Sequence, residues 1–468
     1  MPEFKKYEVI VLGGGPGGYS AAIRAGALGK KVLVIEKDKV GGTCLNWGCI
    51  PTKALLSATE FLEEAAEWRK AGISMDGVKV DVPALQKWNK GIVSKLVGGV
   101  EALFKGNGVE WVRGAGQFVG PKQIKAATAE GDQFFEGDAV IIATGSEPTP
   151  LPTLPCDGKL ILNSDQALFL DAAPKSMLVV GAGAVGLELA TVYNRLGTKI
   201  VVIELMPQII PGVDKDLATQ LHRALKKRGM DVFVNSKVVD YKVNGAVSLR
   251  VETPEGAKTW EVDTVLVAVG RRAVTQGIGL DKTGIQTDDH GFISVGTHRE
   301  TNQSGIYAIG DITGHPMLAH KAMKEGVVAA ETICGLDRVF DFRSIPGVVY
   351  TEPEVAWAGL TEDEAKTRGM NIAVGQFPFV ASGRALTMNH TEGFVKIVAD
   401  QKTDLLLGMH ILGHAASEFM GEASLAIEMG ATAHDIGYSI HPHPTLSEGI
   451  MEAAEYLHGK AIHIMNRK

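Results

Sequence analysis

The residues best suited to redox chemistry are Cys44 and Cys49, which four residues separate within the segment Gly41–Lys53. A cysteine pair directly before a strongly helical sequence indicates a redox-active disulfide. Pro51 fits the first turn of the helix that we predict to run toward Trp68, because opening residues need no amide donor. The positive end of that helix favours a thiolate, so we expect Cys49 to ionise more readily than its partner.

Two alternatives compete with a redox role for this pair, namely buried structural thiols and half of a zinc site. No second cysteine or histidine cluster lies nearby in the sequence, which disfavours zinc, and we predict no metal site in the chain. The chain has only 4 cysteines among its 468 residues, which excludes a disulfide-rich secreted scaffold. A cysteine pair here is therefore expected to be catalytic, in a reducing cytoplasm.

A glycine-rich turn precedes this segment and must help to position it. The apolar strand Tyr7–Leu12 leads into this turn and then into a helical sequence. Gly13 permits the turn, Gly15 lets the backbone approach a pyrophosphate, and Gly18 allows the helix to pack closely on the strand. Glu36 ends the next strand, where it is placed to bond a ribose hydroxyl. The flanking strands and helix make this a strong dinucleotide-binding pattern.

The same arrangement recurs where Ser176–Val180 leads into Gly181, Gly183 and Gly186, and the acid is Glu204. In both copies the acid follows the third glycine by 18 residues (36 − 18 and 204 − 186). We therefore predict two dinucleotide sites, the alternative being that one copy is only a packing turn. A carboxylate repels a 2′-phosphate, and no arginine follows it directly, so the second site is predicted to bind NAD rather than its phosphorylated relative.

Three further apolar segments are predicted to be buried strands of the nucleotide-binding domains: Ala139–Gly145, Val265–Arg272 and Ile306–Asp311. Asp311 would lie at the carboxyl end of its strand, where ligands of open α/β sheets bind. A turn-capping aspartate is the alternative.

From about Ile345 the sequence changes to a mixed pattern of strands, with helices from Ala415 onward. The segment there that indicates chemistry is His441–Glu448, in which Glu448 follows His443 by five residues near a helix start. A carboxylate that orients an imidazole would give a proton acceptor. The alternative is a rigid histidine-proline loop without a catalytic role.

Composition limits the classes of protein and partner. With 45% hydrophobic and 22% charged residues, the chain is typical of a globular protein of roughly three domains at about 150 residues each. A net charge of −7 without a lysine or arginine block argues against nucleic acid or an anionic membrane surface as partner. No apolar run reaches the ~18 residues of a membrane span. The segment before Tyr7 is too short for a signal or transit peptide, so we expect a cytoplasmic protein.

These motifs, in this order and spacing, resemble the FAD-dependent pyridine nucleotide–disulfide oxidoreductases from Tyr7 to the C-terminus, and Gly41–Lys53 matches that family almost residue for residue. The resemblance implies an α/β fold of two Rossmann-like dinucleotide-binding domains and a C-terminal α+β dimerisation domain. The implied boundaries are 1–145 with 275–344 for a discontinuous FAD-binding domain, 146–274 for an NAD-binding domain, and 345–468 for the interface domain.

The resemblance also implies which residues hold the cofactors, and that Lys53 and Glu188 form an ion pair beside the flavin ring. The FAD side would consist of Gly13, Gly15, Gly18, Glu36, Lys53, Gly116, Thr144, Gly145, Ser146, Asp311, Met317, Leu318, Ala319 and His320. The NAD side would consist of Gly181, Gly183, Gly186, Glu188, Glu204, Val238 and Gly270.

The implied reaction is the oxidation of protein-bound dihydrolipoyl groups to lipoyl, with NAD+ as acceptor. A substrate thiol, deprotonated by His443 with Glu448 as its orienting partner, would attack Cys44, and Cys49 would be the thiolate against the flavin. The implied partners are a second copy of the chain, whose histidine and glutamate would face this cysteine pair, and a lipoyl domain. That domain would belong to an acyltransferase core of a 2-oxo acid dehydrogenase complex or be the glycine cleavage carrier protein.

Two residues depart from the family pattern: Ala273 stands where proline is usual and Pro442 where alanine is common. They affect the expected loop geometry and remove no reacting group. The alternative function is an NAD(P)H-dependent reductase of another small disulfide. Ile23 stands where glutathione reductases carry an arginine, and no cysteine follows Cys334, and both observations disfavour that alternative.

Overall fold

The structure, a computed structural model, describes residues 2–75 and 77–466. The strands are, in chain order, β1 (Lys5–Leu12), β2 (Val32–Glu36), β3 (Val109–Arg113), β4 (Ala115–Gly120), β5 (Gln123–Thr128), β6 (Gly131–Ile142), β7 (Ser146–Pro148), β8 (Ile161–Asn163), β9 (Ser176–Val180), β10 (Lys199–Ile203), β11 (Asp231–Phe233), β12 (Lys237–Asn244), β13 (Ala246–Thr253), β14 (Gly256–Val262), β15 (Thr264–Val267), β16 (Arg271–Ala273), β17 (Ile306–Ala308), β18 (Gly347–Val349), β19 (Glu354–Gly359), β20 (Ile372–Pro378), β21 (Phe394–Asp400) and β22 (Leu406–Gly413).

The α-helices are α1 (Pro16–Ala27), α2 (Gly42–Trp47), α3 (Cys49–Glu67), α4 (Val82–Gly106), α5 (Ser164–Ala167), α6 (Ala184–Arg195), α7 (Lys215–Lys227), α8 (Ala319–Ile333), α9 (Glu362–Thr367), α10 (Gly383–Met388), α11 (Met420–Met429), α12 (Ala433–Tyr438) and α13 (Glu448–Leu457). Short 3-10 helices occupy Trp68–Ala71, Leu280–Lys282, Gly310–Thr313, Phe379–Ala381 and Ala416–Phe419. Among the described residues, no helix combines the length and the apolar character that a membrane crossing needs.

The chain divides into two compact units. Unit 1 contains the described residues up to Leu55 together with Asp81–Thr149 and Gly270–Asp341, and unit 2 contains Leu56–Val80, Pro150–Val269 and the described residues from Phe342 onward. The boundaries of the three domains expected from the sequence remain a prediction.

Unit 1 is built on a seven-stranded sheet in the order β3-β2-β1-β6-β5-β4, with β17 also paired to β6. β1 is parallel to both β2 and β6, and Leu12 lies opposite Ile35 and Ile142 in the register. Side chains of β1 alternate between two apolar clusters, with Val9 on one face and Ile10 on the other, as the period of two in a strand requires. The carboxyl ends of the parallel strands therefore align at one edge.

Unit 2 contains a second parallel sheet, β11-β10-β9-β15-β8, and a three-stranded sheet, β12-β13-β14. In the parallel sheet Val180 lies opposite Ile203 and Val267. This register repeats at β9 the alignment seen at β1. The predicted pair of Rossmann-like sheets is thus confirmed.

The C-terminal part of unit 2 is an antiparallel sheet in the order β18-β19-β22-β21-β20. Its core combines side chains of β21 and β22, such as Ile397 and Met409, with Ile450 and Ala453 of α13. This arrangement agrees with the mixed C-terminal domain predicted from the sequence.

Helices α1 and α8 of unit 1 approach so closely that small residues are needed where they meet. A Cβ atom on Gly326 of α8 would lie 2.4 Å from the carbonyl oxygen of Gly17 and 3.2 Å from the amide nitrogen of Ala21. The helix that follows the first glycine turn is therefore fixed to the sheet and to α8 together.

We expect Gly326→Ala to lower the free energy of unfolding by about 1–3 kcal/mol, because the added methyl group must push α8 away from α1. The matched control is Gly98→Ala in α4, where an added Cβ meets nothing within 4 Å. Alanine has the higher helix propensity, so the control should gain about 0.5–1 kcal/mol. Thermal unfolding followed by circular dichroism compares them, and equal midpoints for the two variants would contradict the close packing.

Candidate active site

The two cysteines belong to consecutive helices of unit 1. Cys44 lies within α2, and after Gly48 the long helix α3 begins at Cys49. The predicted helix around Pro51 is confirmed, and it starts at the second cysteine itself. Cys49 therefore stands at the end of α3 where unpaired amides concentrate positive partial charge.

This cysteine segment packs directly on the first glycine turn. The amide of Gly41 donates to the carbonyl oxygen of Gly14 over 2.8 Å. A Cβ on Gly42 would lie 2.6 Å from the Cα of Gly15, and its φ of 55° is in the left-handed region that favours glycine. The glycines before Cys44 thus bring the two backbones into contact.

The two thiols are not electrostatically equivalent. The hydrogen bond with Cys49, followed by burial and by the charge on Cys49, raises the pKa of Cys44 well above its usual range, while Lys53 acts in the opposite direction. Burial, with smaller effects from both cysteines, also raises the pKa of the nearby Tyr19 to about 12. In the reduced pair the proton is therefore retained by Cys44, which leaves Cys49 as the sulfur that can carry negative charge.

The first glycine turn is as tightly built as its sequence predicts. Gly13 has φ 108°, and a Cβ there would lie 2.2 Å from the carbonyl oxygen of Ala143. A Cβ on Gly18 would lie 1.9 Å from the carbonyl oxygen of Gly13. Gly15 precedes α1 without any side-chain cap on the helix amides. These amides are free to bind an anionic group such as a phosphate.

The second turn, in unit 2, has the same construction. Gly181 has φ 105°, and a Cβ there would lie 2.3 Å from the carbonyl oxygen of Ala268. A Cβ on Gly186 would lie 2.2 Å from the carbonyl oxygen of Gly181, whereas one on Gly183 would meet nothing within 4 Å. Gly183 precedes α6, again without a side-chain cap.

The acid that follows each turn is buried and accepts two backbone hydrogen bonds. Glu36 accepts from the amides of Gly14 at 2.7 Å and Asp38 at 2.8 Å. Glu204 accepts from the amides of Ala182 at 2.7 Å and Met206 at 2.8 Å. Each carboxylate holds its glycine turn in place, and the ribose contact expected from the sequence remains a prediction.

Ser146 and Asp311, two of the predicted cofactor residues, are in direct contact. The hydroxyl of Ser146 donates to the carboxylate of Asp311 and accepts from Nε of Arg271 over 2.7 Å. Arg271 also donates to the carbonyl oxygen of Ser146 at 2.7 Å and to the hydroxyl of Thr43 at 3.4 Å. The sequence analysis did not identify this arginine, although its place directly after an apolar strand was a usable signal.

The other predicted FAD-side residues lie in unit 1. The hydroxyl of Thr144 donates to the carbonyl oxygen of Val274, whose amide donates to the carbonyl oxygen of Gly145. On β4, a Cβ on Gly116 would lie 2.2 Å from Leu12. Met317 and Leu318 directly precede α8, whose first residues are Ala319 and His320.

A buried ionic cluster supports the segment around Asp311, and the sequence analysis missed it. Glu325 is fully buried and accepts from the Gly310 amide at 2.6 Å. It pairs with Arg299 at 3.0 Å and with Lys321 at 3.3 Å. Charges buried together in this way stabilise one another only if all are present, because removal of one leaves another unpaired.

The remaining predicted NAD-side residues have different surroundings. Glu188 on α6 is buried and accepts from the amide of Tyr350 at 3.0 Å, and its ion pair with Lys53 remains a prediction. Val238 on β12 is a buried member of an apolar cluster. Gly270 has φ 115° and accepts from the amide of Thr149 at 3.0 Å.

His443 and Glu448 meet at the start of α13, as predicted. Nδ1 of His443 lies 2.8 Å from Oε1 of Glu448, whose other oxygen accepts from the amide of Thr445 at 2.9 Å. Burial raises the pKa of Glu448, but the Thr445 amide and His443 outweigh it and leave the pKa lowered. The carboxylate therefore accepts a hydrogen bond from Nδ1–H of His443, and Nε2 is left as the nitrogen without a proton. The imidazole side chain is 78% exposed in the single chain.

A second histidine in the same loop has the opposite character. His441 places Nε2 3.1 Å from Glu422 and Nδ1 2.9 Å from the carbonyl oxygen of Ser439. Both partners are acceptors, so both ring nitrogens carry protons. The hydrogen bond with Glu422 is the main cause that raises the pKa of His441. This cation, which the sequence analysis did not assign, ties the loop that presents His443 to α11.

Comparison with known proteins gives consistent results over the whole chain. The family described as pyridine nucleotide-disulphide oxidoreductase matches residues 7–326, and its dimerisation domain matches residues 345–454. The chain is 50% identical to the dihydrolipoyl dehydrogenase of Thermus scotoductus over 467 residues, which is 99% of this chain and 100% of that protein.

Proteins of other organisms give similar matches. The mitochondrial dihydrolipoyl dehydrogenase of Pisum sativum is 44% identical over 463 residues, which is 98% of this chain and 92% of that protein. Among solved structures, LpdA from Mycobacterium tuberculosis has a TM-score of 0.88 at 28% identity, with 97% of this chain and 99% of that chain covered.

Proposed function

The chain belongs to the pyridine nucleotide-disulphide oxidoreductase family, and on that premise we propose that it oxidises protein-bound dihydrolipoyl groups to lipoyl with NAD+ as acceptor. This is the reaction of a dihydrolipoyl dehydrogenase, the name of the relatives that match almost the full chain at 42–50% identity. The structural observation that carries the proposal is the cysteine pair, which sits at a helix start and packs on a dinucleotide-type glycine turn.

The residues present fit FAD at the first turn and NAD at the second. Neither helix that follows these turns has a side-chain cap, so its first amides can bind a pyrophosphate. Anionic groups bind favourably at such helix starts. At the first site we assign the contacts with FAD to Gly13, Gly15, Gly18 and Glu36. The Ser146–Asp311 pair would add further contacts with the same cofactor. The chemistry that bound FAD supplies is the conversion of thiol electrons into a hydride for NAD+, which a dithiol cannot deliver itself.

The second site is proposed to select NAD over NADP through Glu204. Two backbone amides fix this carboxylate at the end of β10. A fixed negative charge there attracts a free 2′-hydroxyl and repels a 2′-phosphate. The following residues, Leu205 and Met206, supply no positive charge.

In the proposed reaction, one substrate thiol gives its proton to Nε2 of His443, and the resulting thiolate attacks Cys44 of the Cys44–Cys49 disulfide. That disulfide bond breaks, and Cys49 leaves as a thiolate at the start of α3. The second substrate thiol also loses its proton and attacks the substrate sulfur bound to Cys44, which releases oxidised lipoyl. One proton stays on Cys44, in agreement with its raised pKa, and the other leaves through His443.

A steady-state assay tests the function against its main alternative. We expect fast reduction of NAD+ with dihydrolipoamide, and little oxidation of NADPH with oxidised glutathione. A clear preference for glutathione and NADPH would replace the proposed function with that of another small-disulfide reductase.

We predict different spectra for the two cysteine variants. Cys44→Ser should retain a long-wavelength absorbance band, because Cys49 remains as a thiolate donor against oxidised flavin, whereas Cys49→Ser should lose the band. Absorbance spectra of the FAD-loaded variants, with the wild type after two-electron reduction as reference, measure this. The reverse pattern would exchange the roles assigned to the two sulfurs.

The partners proposed are a second copy of the chain and a lipoyl domain, in the cytoplasm. The match to a dimerisation domain supports the homodimer. The C-terminal part also exposes large apolar side chains, including Tyr438, Ile440 and Met465, which is typical of a surface that another protein covers. We propose that this pairing brings His443 and Glu448 of one subunit to the cysteine pair of the other.

Mixing two inactive variants tests the shared site. If Cys44→Ser and His443→Gln subunits reassociate statistically, half the dimers are heterodimers with one intact site each, so about a quarter of wild-type activity should return. Each variant alone is the control and should remain inactive. Heterodimers without recovered activity would mean that each subunit supplies its own base.

A further inference from the structure

Three residues from separate loops of unit 2 meet in a cluster to which the proposed reaction gives no role. Glu352 precedes β19, His390 follows α10, and His414 follows β22. One ligand-type atom from each lies within 4.8 Å of the others. The two imidazole rings stack with centroids 3.9 Å apart and an angle of 17°.

The atoms of this cluster are too far apart for hydrogen bonds. Nδ1 of His390 lies 3.8 Å from one oxygen of Glu352, and Nδ1 of His414 lies 3.9 Å from the other. Nδ1 of His414 also lies 3.9 Å from Glu60 on α3. Hydrogen bonds between such groups span about 2.7–3.2 Å.

Other histidine–carboxylate pairs of unit 2 lie within hydrogen-bond distance. His458 lies 3.0 Å from Asp404, and His463 lies 2.7 Å from Glu452. By contrast, Nδ1 of His414 is buried without any hydrogen-bond partner. A buried, unpartnered nitrogen that faces two carboxylates calls for a further partner between them, and a cation or a water is such a partner.

The spacing fits a bridging metal ion. A tetrahedral ion with bonds of about 2.0–2.1 Å keeps its ligand atoms roughly 3.3–3.4 Å apart. The nitrogen–carboxylate distances of 3.8–3.9 Å therefore need a contraction of about half an ångström, and other ligand atoms of the group, which lie within 4.8 Å of one another, need up to about 1.4 Å. The stacked rings must turn apart to direct their nitrogens at the ion.

The charge of the surroundings also fits a divalent cation. Four carboxylates lie around the two imidazoles, those of Glu60, Glu63, Glu64 and Glu352, and two guanidinium groups contact Glu63 and Glu352. One of these, Arg195, lies 2.9 Å from Glu63 and 3.9 Å from Glu352, and Arg228 lies 2.6 Å from Glu63. Arg228 also pairs with Glu392 at 2.7 Å, and Lys227 contacts the same carboxylate. The carboxylates of this network outnumber its lysine and arginine side chains, and the excess of negative charge favours a cation.

We propose that Glu352, His390 and His414 bind a divalent transition metal, with Zn2+ as the matching ion. Glu60 lies outside the three-residue group, 3.9 Å from Nδ1 of His414, and would move in as the fourth ligand. Two imidazole nitrogens and two carboxylate oxygens form a donor set that zinc accepts. Glu64 lies 3.8 Å from Nε2 of His390, where it orients the ring from behind as an outer carboxylate does at metal-bound histidines. The ion would join α3 to three loops of unit 2.

The test measures Zn2+ binding to the FAD-loaded enzyme in its oxidised form, in which the disulfide keeps Cys44 and Cys49 from binding the ion. Equilibrium dialysis should give one Zn2+ per chain, with a higher melting temperature. His390→Asn and His414→Gln should abolish this binding, and Glu64→Gln should weaken it by about 10- to 100-fold. His458→Gln, which changes a directly bonded pair of the same unit, is the matched control and should bind as the wild type does.

X-ray absorption of the wild-type zinc complex keeps the proposal testable even if a histidine variant fails to fold. Two imidazole nitrogens and oxygen ligands without sulfur are the expected shell. The absence of stoichiometric binding, a sulfur ligand, or binding that both histidine variants retain would each overturn the proposed site.

Discussion

The structure of both Rossmann-like sheets depends on one interaction, in which a buried carboxylate accepts hydrogen bonds from the backbone of the neighbouring glycine turn. Glu36 and Glu204 each accept two amides, at matching distances. The turns they hold run so close to an adjacent strand that no Cβ could be accommodated at Gly13 or Gly181. This contact therefore also fixes the position of the helix that follows each turn. In unit 1 the cysteine segment does so as well, because Gly41 is bonded to the first turn.

Two histidines in one loop show how partners decide what an imidazole can do. His441 lies between two acceptors, so both of its ring nitrogens carry protons. His443 donates from one nitrogen to Glu448, and its other nitrogen is left without a proton. The first ring anchors the loop and the second is exposed at its tip. The residue type is the same in both cases, and only the surrounding carbonyl and carboxylate groups distinguish a structural ion from a proton acceptor.

Local patterns predicted much of this architecture. The strands at β1, β2, β9 and β10, their glycine turns, the helix after the cysteine pair and the meeting of His443 with Glu448 all depend on short-range spacing. Strands such as β4, β5 and β14 were not predicted, because they carry polar or exposed residues on one face and lack a continuous apolar run. The Glu352–His390–His414 cluster was also not predicted, because its members lie far apart in sequence and only the tertiary fold brings them together. The same holds for the contact of Glu325 with Arg299.

The acidic end of α3 has a consequence for the order in which the chain acquires structure. The second half of α3 contains four glutamates, Glu60, Glu63, Glu64 and Glu67, and its last turn has no basic residue. Negative charge is unfavourable at the carboxyl end of a helix. The guanidinium of Arg195, which compensates Glu63, is 132 residues further along the chain. At ribosomal speeds of about 5–20 residues per second, the arginine is synthesised roughly 7–26 seconds after the glutamate. During that interval Glu63 lacks this guanidinium, whereas Glu67 already has Lys70 three residues further on. The length of the period in which Glu63 is uncompensated in a nascent chain therefore depends on the rate of translation.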